Sequence, residues 1–584
     1  MTARRRSAAE LTALAARPSP SAAAVRRLHD DALWLRAFAA TIDERDAADK
    51  VLAGIGARVR RLPAGSRHRL DDHGFDGSVT SNSFAWPIAA WLAERYPRES
   101  DIDWARLADP QRFDALLRPL LLRAEEDEFE SGAVGTREWL RAAEGDAALS
   151  DLAWVAAQVR DRRGGKCDGT CDGTCDGTRD WVALWNTWWD AFEVPVRWRL
   201  SGSLGASANT RLTQPAVSPV RTEPMRRTPA RPAAFVATPL PGVRRLSGDS
   251  ARDVIDTTRA ALTCRAREVH AITYANDDEV WWADLGAGVG LAVIGVEPVW
   301  RLPLEANYGW MAFSLGVPIA YGGVSPLVGQ ANTGIHLFEA FRGSEAAYLW
   351  AACLRAFATL FGVKRFVVNP VQVGEDNEEA IASGALWFYW RLGFRPVGRA
   401  LRAAAAREWK RVQSGTGRRS NPEMLRRLAT ADLHLVLPGA MPAFDEQWLQ
   451  GAAHAVTVRL ATAAADGHRR RAVSEMRHEV ARALGAPGRL VWTDDEVRAF
   501  EQLAPVVSVV LDEVARWTAH ERHALLLMLR AKGSPQELGY VRAMQRVPKF
   551  WAALARRSRE SSGRRGHRAR RAGPRANDAS SWSP

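Results

Sequence analysis

Residues 331–397 read ANTGIHLF, EAFRGSEAAYLWAACLRAFATLFG and VKRFVVNP, then an acidic loop, then ASGALWFYWRLGFRPV. Ile335 to Phe338 is a short apolar run of strand type. Ala347, Leu349, Trp350, Cys353, Leu354, Phe357 and Leu360 recur at helical spacing, and Gly362 supplies a stop. Phe366 to Val368 is aromatic and β-branched, which predicts a buried strand. Ala385 to Leu392 reads as a second helix closed by Gly393, and Phe394 to Val397 as a strand. Strand, helix, strand, helix, strand predicts a parallel or mixed sheet with helices packed on it, of α+β or α/β class.

This order resembles the core of the GNAT superfamily of N-acetyltransferases, over Val269 to Leu437. In that family the fourth strand feeds a loop of pattern Q/R-x-x-G-x-G/A. Its amides and the following helix start hold the coenzyme A pyrophosphate, as free N–H groups and a helix dipole do for anions. The loop here is Arg342, Gly343, Ser344, Glu345, Ala346, Ala347. Arg342 and Ala347 fit the ends of the pattern, and Glu345 stands where the central glycine is expected. A carboxylate roughly 5 Å from a phosphate, at an effective dielectric near 20, costs about 3 kcal/mol. The loop therefore binds coenzyme only if Arg342 offsets Glu345 or Glu345 turns out to solvent, and Glu345→Gly is expected to tighten binding.

The family's second signature is N-x-x-A, a Tyr, then L-G-F. Ala385, Tyr389, Leu392, Gly393 and Phe394 match it, while Ala382 replaces the Asn. Asn377 and Ala380 repeat N-x-x-A five residues early. The resemblance implies transfer of an acyl group from acetyl-CoA or another acyl-CoA to an amine. It implies a strand amide at Leu337 or Phe338 polarising the thioester carbonyl. Tyr389 would then be the general acid, and Glu305, with His336 and Glu339 after it, the base. The alternatives are a non-catalytic scaffold or interaction protein with a degenerate core, and a methyltransferase. The last rests on Asp284 to Gly290, DLGAGVG, which matches a glycine-rich loop that opens a helix. Glu297-Pro298 comes too soon for a helix between two strands, so a hairpin turn fits that loop better.

The 584 residues allow several domains, and 47% hydrophobic content supports packed cores. Residues 1–200 read as a helical domain, 201–250 as a Pro/Arg-rich linker and 251–440 as the sheet domain. Residues 441–555 read as a second helical domain and 556–584 as a basic tail. Asp109-Pro110 marks a helix start, Thr493 with Glu496 a capping box, and Ser534, Pro535 and Glu537 another. Strands are expected at Val269 to Tyr274, Val280 to Leu285, Val289 to Val296, Tyr308 to Ser314 and Pro318 to Gly322, and at Asp432 to Leu437.

The net charge is +13, and the tail holds nine arginines against two acidic residues, over half of it. No aromatic residue interleaves those arginines before Trp582, so nucleic-acid binding is not expected, the tail's charge being the one feature that could support it. Ala306 to Phe338 is uncharged and long enough to span a bilayer, but its glycines and prolines fit buried strands. The basic start of the chain is interrupted by Glu10, and a soluble cytoplasmic protein is the expectation. Cys167, Cys171 and Cys175 lie in a triple CDGT repeat at Lys166 to Thr178. Their spacing is that of neither zinc nor iron–sulfur ligands, so no metal is expected. His520-Glu521-Arg522-His523 is one residue short of a zinc-protease motif.

Overall fold

The computed structural model describes residues 6–571 apart from 146–148, 165–176, 203–204, 214–217, 344, 415–418, 445–446, 466 and 487–490. It is a mixed α+β protein. Its first sheet corrects the all-helical expectation for residues 1–200. Strands β1 (Val79–Asn82), β2 (Ser100–Ile102) and β3 (Val196–Arg199) pair antiparallel in the order β1-β3-β2. Around them Trp86, Trp185, Trp189 and Trp198 pack with Phe113 and Leu116 in a core of their own. The helices before Phe75 instead bury Val25, Leu28, Val51 and Ile55 in the core of the larger sheet.

The larger sheet has ten strands. They are β4 (Arg244–Leu246), β5 (Ala275–Gly286), β6 (Val289–Val296), β7 (Tyr308–Ser314), β8 (Val317–Leu327), β9 (Gln330–Thr333), β10 (His336–Leu337), β11 (Arg365–Val368), β12 (Arg395–Pro396) and β13 (Leu433–Val436). The order is β12-β13-β11-β9-β8-β7-β6-β5-β4, with β10 also on β8. Among the described residues β9–β11 is the one parallel pair. A parallel pair needs a crossover, and the central helix Ala346–Phe361 supplies it. That helix is apolar nearly all round and ends at Gly362 with φ 71°, a left-handed cap that favours glycine. β6 and β7 are buried along their whole length, as strands covered on both faces must be.

The hairpin β5–β6 closes on Ala287 and Gly288, with φ 56° and 73°. Two positive φ values make the turn whose twist suits a two-residue hairpin. The strand-to-helix turn of a methyltransferase is therefore absent from DLGAGVG. Residues 269–274, expected as a strand, contain the short helix His270–Thr273. The uncharged run 306–338 forms strands, and no helix among the described residues is long and apolar enough to cross a membrane.

The stretch 201–250 is packed chain where it is described. Leu212, Arg221 and Val236 are buried, and β4 joins the sheet edge. The C-terminal helices share the main core through Trp448, Leu503, Leu529, Tyr540 and Trp551. Thr493 and Glu496 form their capping box. The box expected at 534–537 does not form. The helix Leu538–Met544 is headed by Glu279 of β5, which accepts the Glu537 and Leu538 N–H groups at 2.7 and 2.8 Å. The last helix runs from Pro548 to Arg571, past the boundary expected near Ala555.

Candidate active site at a split strand

β9 and β10 are one strand with a missing rung. β9 pairs Thr333 with Val324, β10 pairs His336 with Tyr321 and Leu337 with Ala320, and the register runs unbroken across the gap. Gly334 and Ile335 occupy the gap. On the other side β11 follows β9 only as far as Val367 opposite Asn332. Past that point the parallel neighbours separate, and the chain after β11 turns through Pro370–Val373. The sequence placed this strand at Ile335 to Phe338 and missed β9, whose residues QANT carry no apolar signal.

Tyr389 fills the separation. It lies on the helix Ala385–Arg391, is 2% exposed, and packs edge-on against Phe394 at 5.5 Å. The Ile335 backbone N–H donates to its hydroxyl, and burial holds the phenol above its ordinary pKa. Amides alternate sides along a strand. The Phe338 N–H donates to the Ile319 carbonyl at 3.2 Å, towards β8. Alternation therefore turns the Ile335 and Leu337 amides to the other edge, where β11 has departed. Of the two expected carbonyl-polarising amides, Leu337 faces the gap and Phe338 does not. A Cβ on Gly334 would lie 2.7 Å from Gln372 Oε1, so Gln372 lies over the gap, and a larger residue at 334 would have to displace its side chain.

His336 is exposed on β10 and stacks on Tyr321, with centroids 5.3 Å apart and planes at 22°. Arg267 donates to the Tyr321 hydroxyl at 2.6 Å. Partial burial and then Arg267 hold the His336 imidazole below its ordinary pKa, against the pull of Glu379. It is thus neutral at pH 7, with a lone pair available. Glu339 is exposed and lies 3.8 Å from Arg26.

Glu305 is not part of this group. The next residue, Ala306, donates to the Pro326 carbonyl, and Pro326 faces Ala331 on β9. At about 3.3 Å per residue and 4.8 Å per strand, this puts Glu305 on the order of 15 Å from the Ile335 amide. Its carbonyl accepts from Lys532 Nζ at 3.0 Å. Its expected role as base is therefore corrected: it belongs to the contact with the C-terminal helices.

The expected pyrophosphate loop is described except for Ser344. Arg342 is exposed and pairs with Glu379 at 2.7 Å. Gly343 has φ 80°, and Ala346 and Ala347 are half-buried in the first turn of the central helix. Glu345 turns neither to Arg342 nor to solvent. It is buried and held by both arms of Arg221, at 2.7 and 2.8 Å, and it accepts the Arg226 N–H at 2.8 Å. Arg221 reaches it from 124 residues away, where no sequence signal marked it. The bidentate pair cancels most of the field that Glu345 would exert on a phosphate. The like-charge penalty expected from its position is thereby removed.

Asn377 caps the helix Glu378–Ser383 by accepting the Ala380 N–H at 3.0 Å, which accounts for the displaced N-x-x-A. The CDGT cysteines lie outside the described residues. Among the described residues no group of three metal-ligating side chains converges. Comparison of the chain with protein-family models, with curated proteins and with solved structures finds no match.

Proposed function

We propose that the chain is a GNAT-like acyltransferase that moves an acyl group from an acyl-CoA to an amine. The observation that carries this reading is the split strand. A parallel pair joined by a helix separates beside a strand gap, and a tyrosine hydroxyl from the next helix reaches the amide in that gap. The residues then divide the chemistry. The Leu337 N–H would polarise the thioester carbonyl, which makes it electrophilic without a charged side chain. Neutral His336 would take the proton of the attacking amine. Tyr389 would give its proton to the leaving sulfur, and its raised pKa keeps that proton in place at neutral pH. Arg342 and the first-turn amides of Ala346 and Ala347 would hold the pyrophosphate, with Glu345 neutralised behind them by Arg221.

The scaffold reading has its own support. Tyr389 is nearly inaccessible, and Gln372 lies over Gly334 in the gap that a pantetheine arm would need. Isothermal titration with coenzyme A and acetyl-coenzyme A separates the two. Saturable binding below about 1 mM supports the acyltransferase, and none at that concentration leaves the scaffold.

A further inference from the structure

A second cavity lies away from the split strand, where three parts of the chain meet. Its volume is about 580 Å³, within the range of small-molecule sites. Trp86 and Asn186 line it from the Trp-rich core, Tyr274 and Trp300 from the sheet, and Asp495 from the C-terminal helices. It opens at the Ala275–Val296 end of β5–β6, with β7 and β8 between it and β9. At about 4.8 Å per strand that is on the order of 20 Å from the proposed acyl-transfer gap, too far to be its acceptor pocket.

The lining combines two features. The first is aromatic. Trp300 and Tyr274 lie against each other with centroids 4.7 Å apart, and the Tyr274 hydroxyl is fixed by Asn186 Nδ2 at 2.8 Å. The second is acidic. Asp278 and Glu297, both exposed, line the cavity with Asp495, whose carboxylate Arg498 holds at 2.6 Å. The lining cation Arg259 donates to the Ile272 and Thr273 carbonyls at 3.2 and 3.0 Å, and the carboxylates of Asp256, Asp277 and Glu297 around it outnumber its charge. Ring faces attract cations through their quadrupole, and carboxylates at a partly enclosed mouth focus a negative potential. We infer that this cavity is a binding site for a small organic cation, an amine with a flat apolar body that lies against Trp300.

Two probes of similar size and opposite charge test this on the full chain: tyramine and 4-hydroxyphenylacetate, by calorimetric titration. Tyramine should bind saturably and at least about tenfold more tightly than the anion. The double variant Asp278→Asn, Glu297→Gln changes exposed side chains and should keep the wild-type melting temperature while weakening tyramine about tenfold. Trp300→Ala should weaken it further, and Trp300→Phe should restore part of the loss. Equal binding of the two probes, no binding of tyramine up to about 10 mM, or tyramine binding untouched by the double variant would each overturn the assignment.

Discussion

Two buried carboxylates stand at helix starts in this protein, and their arginines treat them differently. Glu345 heads the central helix and receives both arms of Arg221. Glu279 heads the helix Leu538–Met544 and has Arg301 only at 3.7 Å. Arg301 gives its N–H groups to carbonyls instead, those of Val296, Lys532, Ser534 and Pro535. Glu279 is left with two amides and the Tyr308 hydroxyl at 2.9 Å, beside a second buried acid, Glu537. Burial first of all, helped by Glu537 and opposed by Arg301, pushes its carboxyl up to about 7. Burying an acid and an arginine together is thus not enough. What matters is whether the guanidinium fork is spent on the carboxylate or on the backbone.

The strongest way to break the comparison is Glu345→Gly. The substitution that the sequence pattern recommends for coenzyme binding should instead leave Arg221 buried without its anion. The expected loss is about 3–5 kcal/mol, read from denaturant unfolding. An equal or higher midpoint would show that the pair contributes little. The second test is pH. The folded pKa of Glu279 lies above its unfolded value of 4.5, so the folded state binds the extra proton. Stability from this group is full below pH 4.5 and is lost as pH rises towards 7, by up to about 3 kcal/mol. Glu279→Gln should flatten the stability profile between those limits, and an unchanged slope would refute the shift.

Smaller effects sharpen the contrast at the gap. Tyr389→Phe removes the partner of the Ile335 amide and should cost about 1–2 kcal/mol of stability. In an enzyme shown to be active it should lower acyl transfer about 100-fold. Full activity with the stability loss would leave Tyr389 a packing residue. Arg342→Ala, at an exposed pair, should change stability by less than about 1 kcal/mol. It should nevertheless weaken coenzyme A about tenfold, and equal affinities would remove Arg342 from the site.

The middle of the sheet was legible because β6 and β7 are apolar nearly throughout. β6 and β7 begin and end where their hydrophobic runs do, and the Ala287-Gly288 turn follows from its residues. The central helix was legible from its period and from Gly362. What was not legible was polar or distant. β9, QANT, forms a strand because neighbours pair with it, not because its side chains favour it, and in β1, VTSN, two β-branched residues are too short a run to mark a strand. Residues 269–274 look like a strand and fold as a helix, a tertiary choice that a short apolar window cannot reveal. At the candidate site, Tyr389 and Arg342 were expected from the resemblance to the GNAT signatures, and His336 as a candidate base near them. Arg221 and Gln372 were not, because each acts across a contact that only the fold creates.

The two ends of the ten-stranded sheet bear on how the protein behaves at high concentration. An edge strand offers unpaired N–H and C=O groups to any other chain, and long flat edges recruit copies. Here one edge, β4, is three residues long and begins with two arginines. The other, β12, is two residues long and one of them is proline, which has no N–H to offer. Its arginine is turned back onto its own chain, donating to the Trp390 and Phe394 carbonyls. A sheet this wide therefore presents almost no template for lateral growth. Substituting valines for Arg244, Arg245 and Pro396 would remove those guards and favour edge-to-edge association.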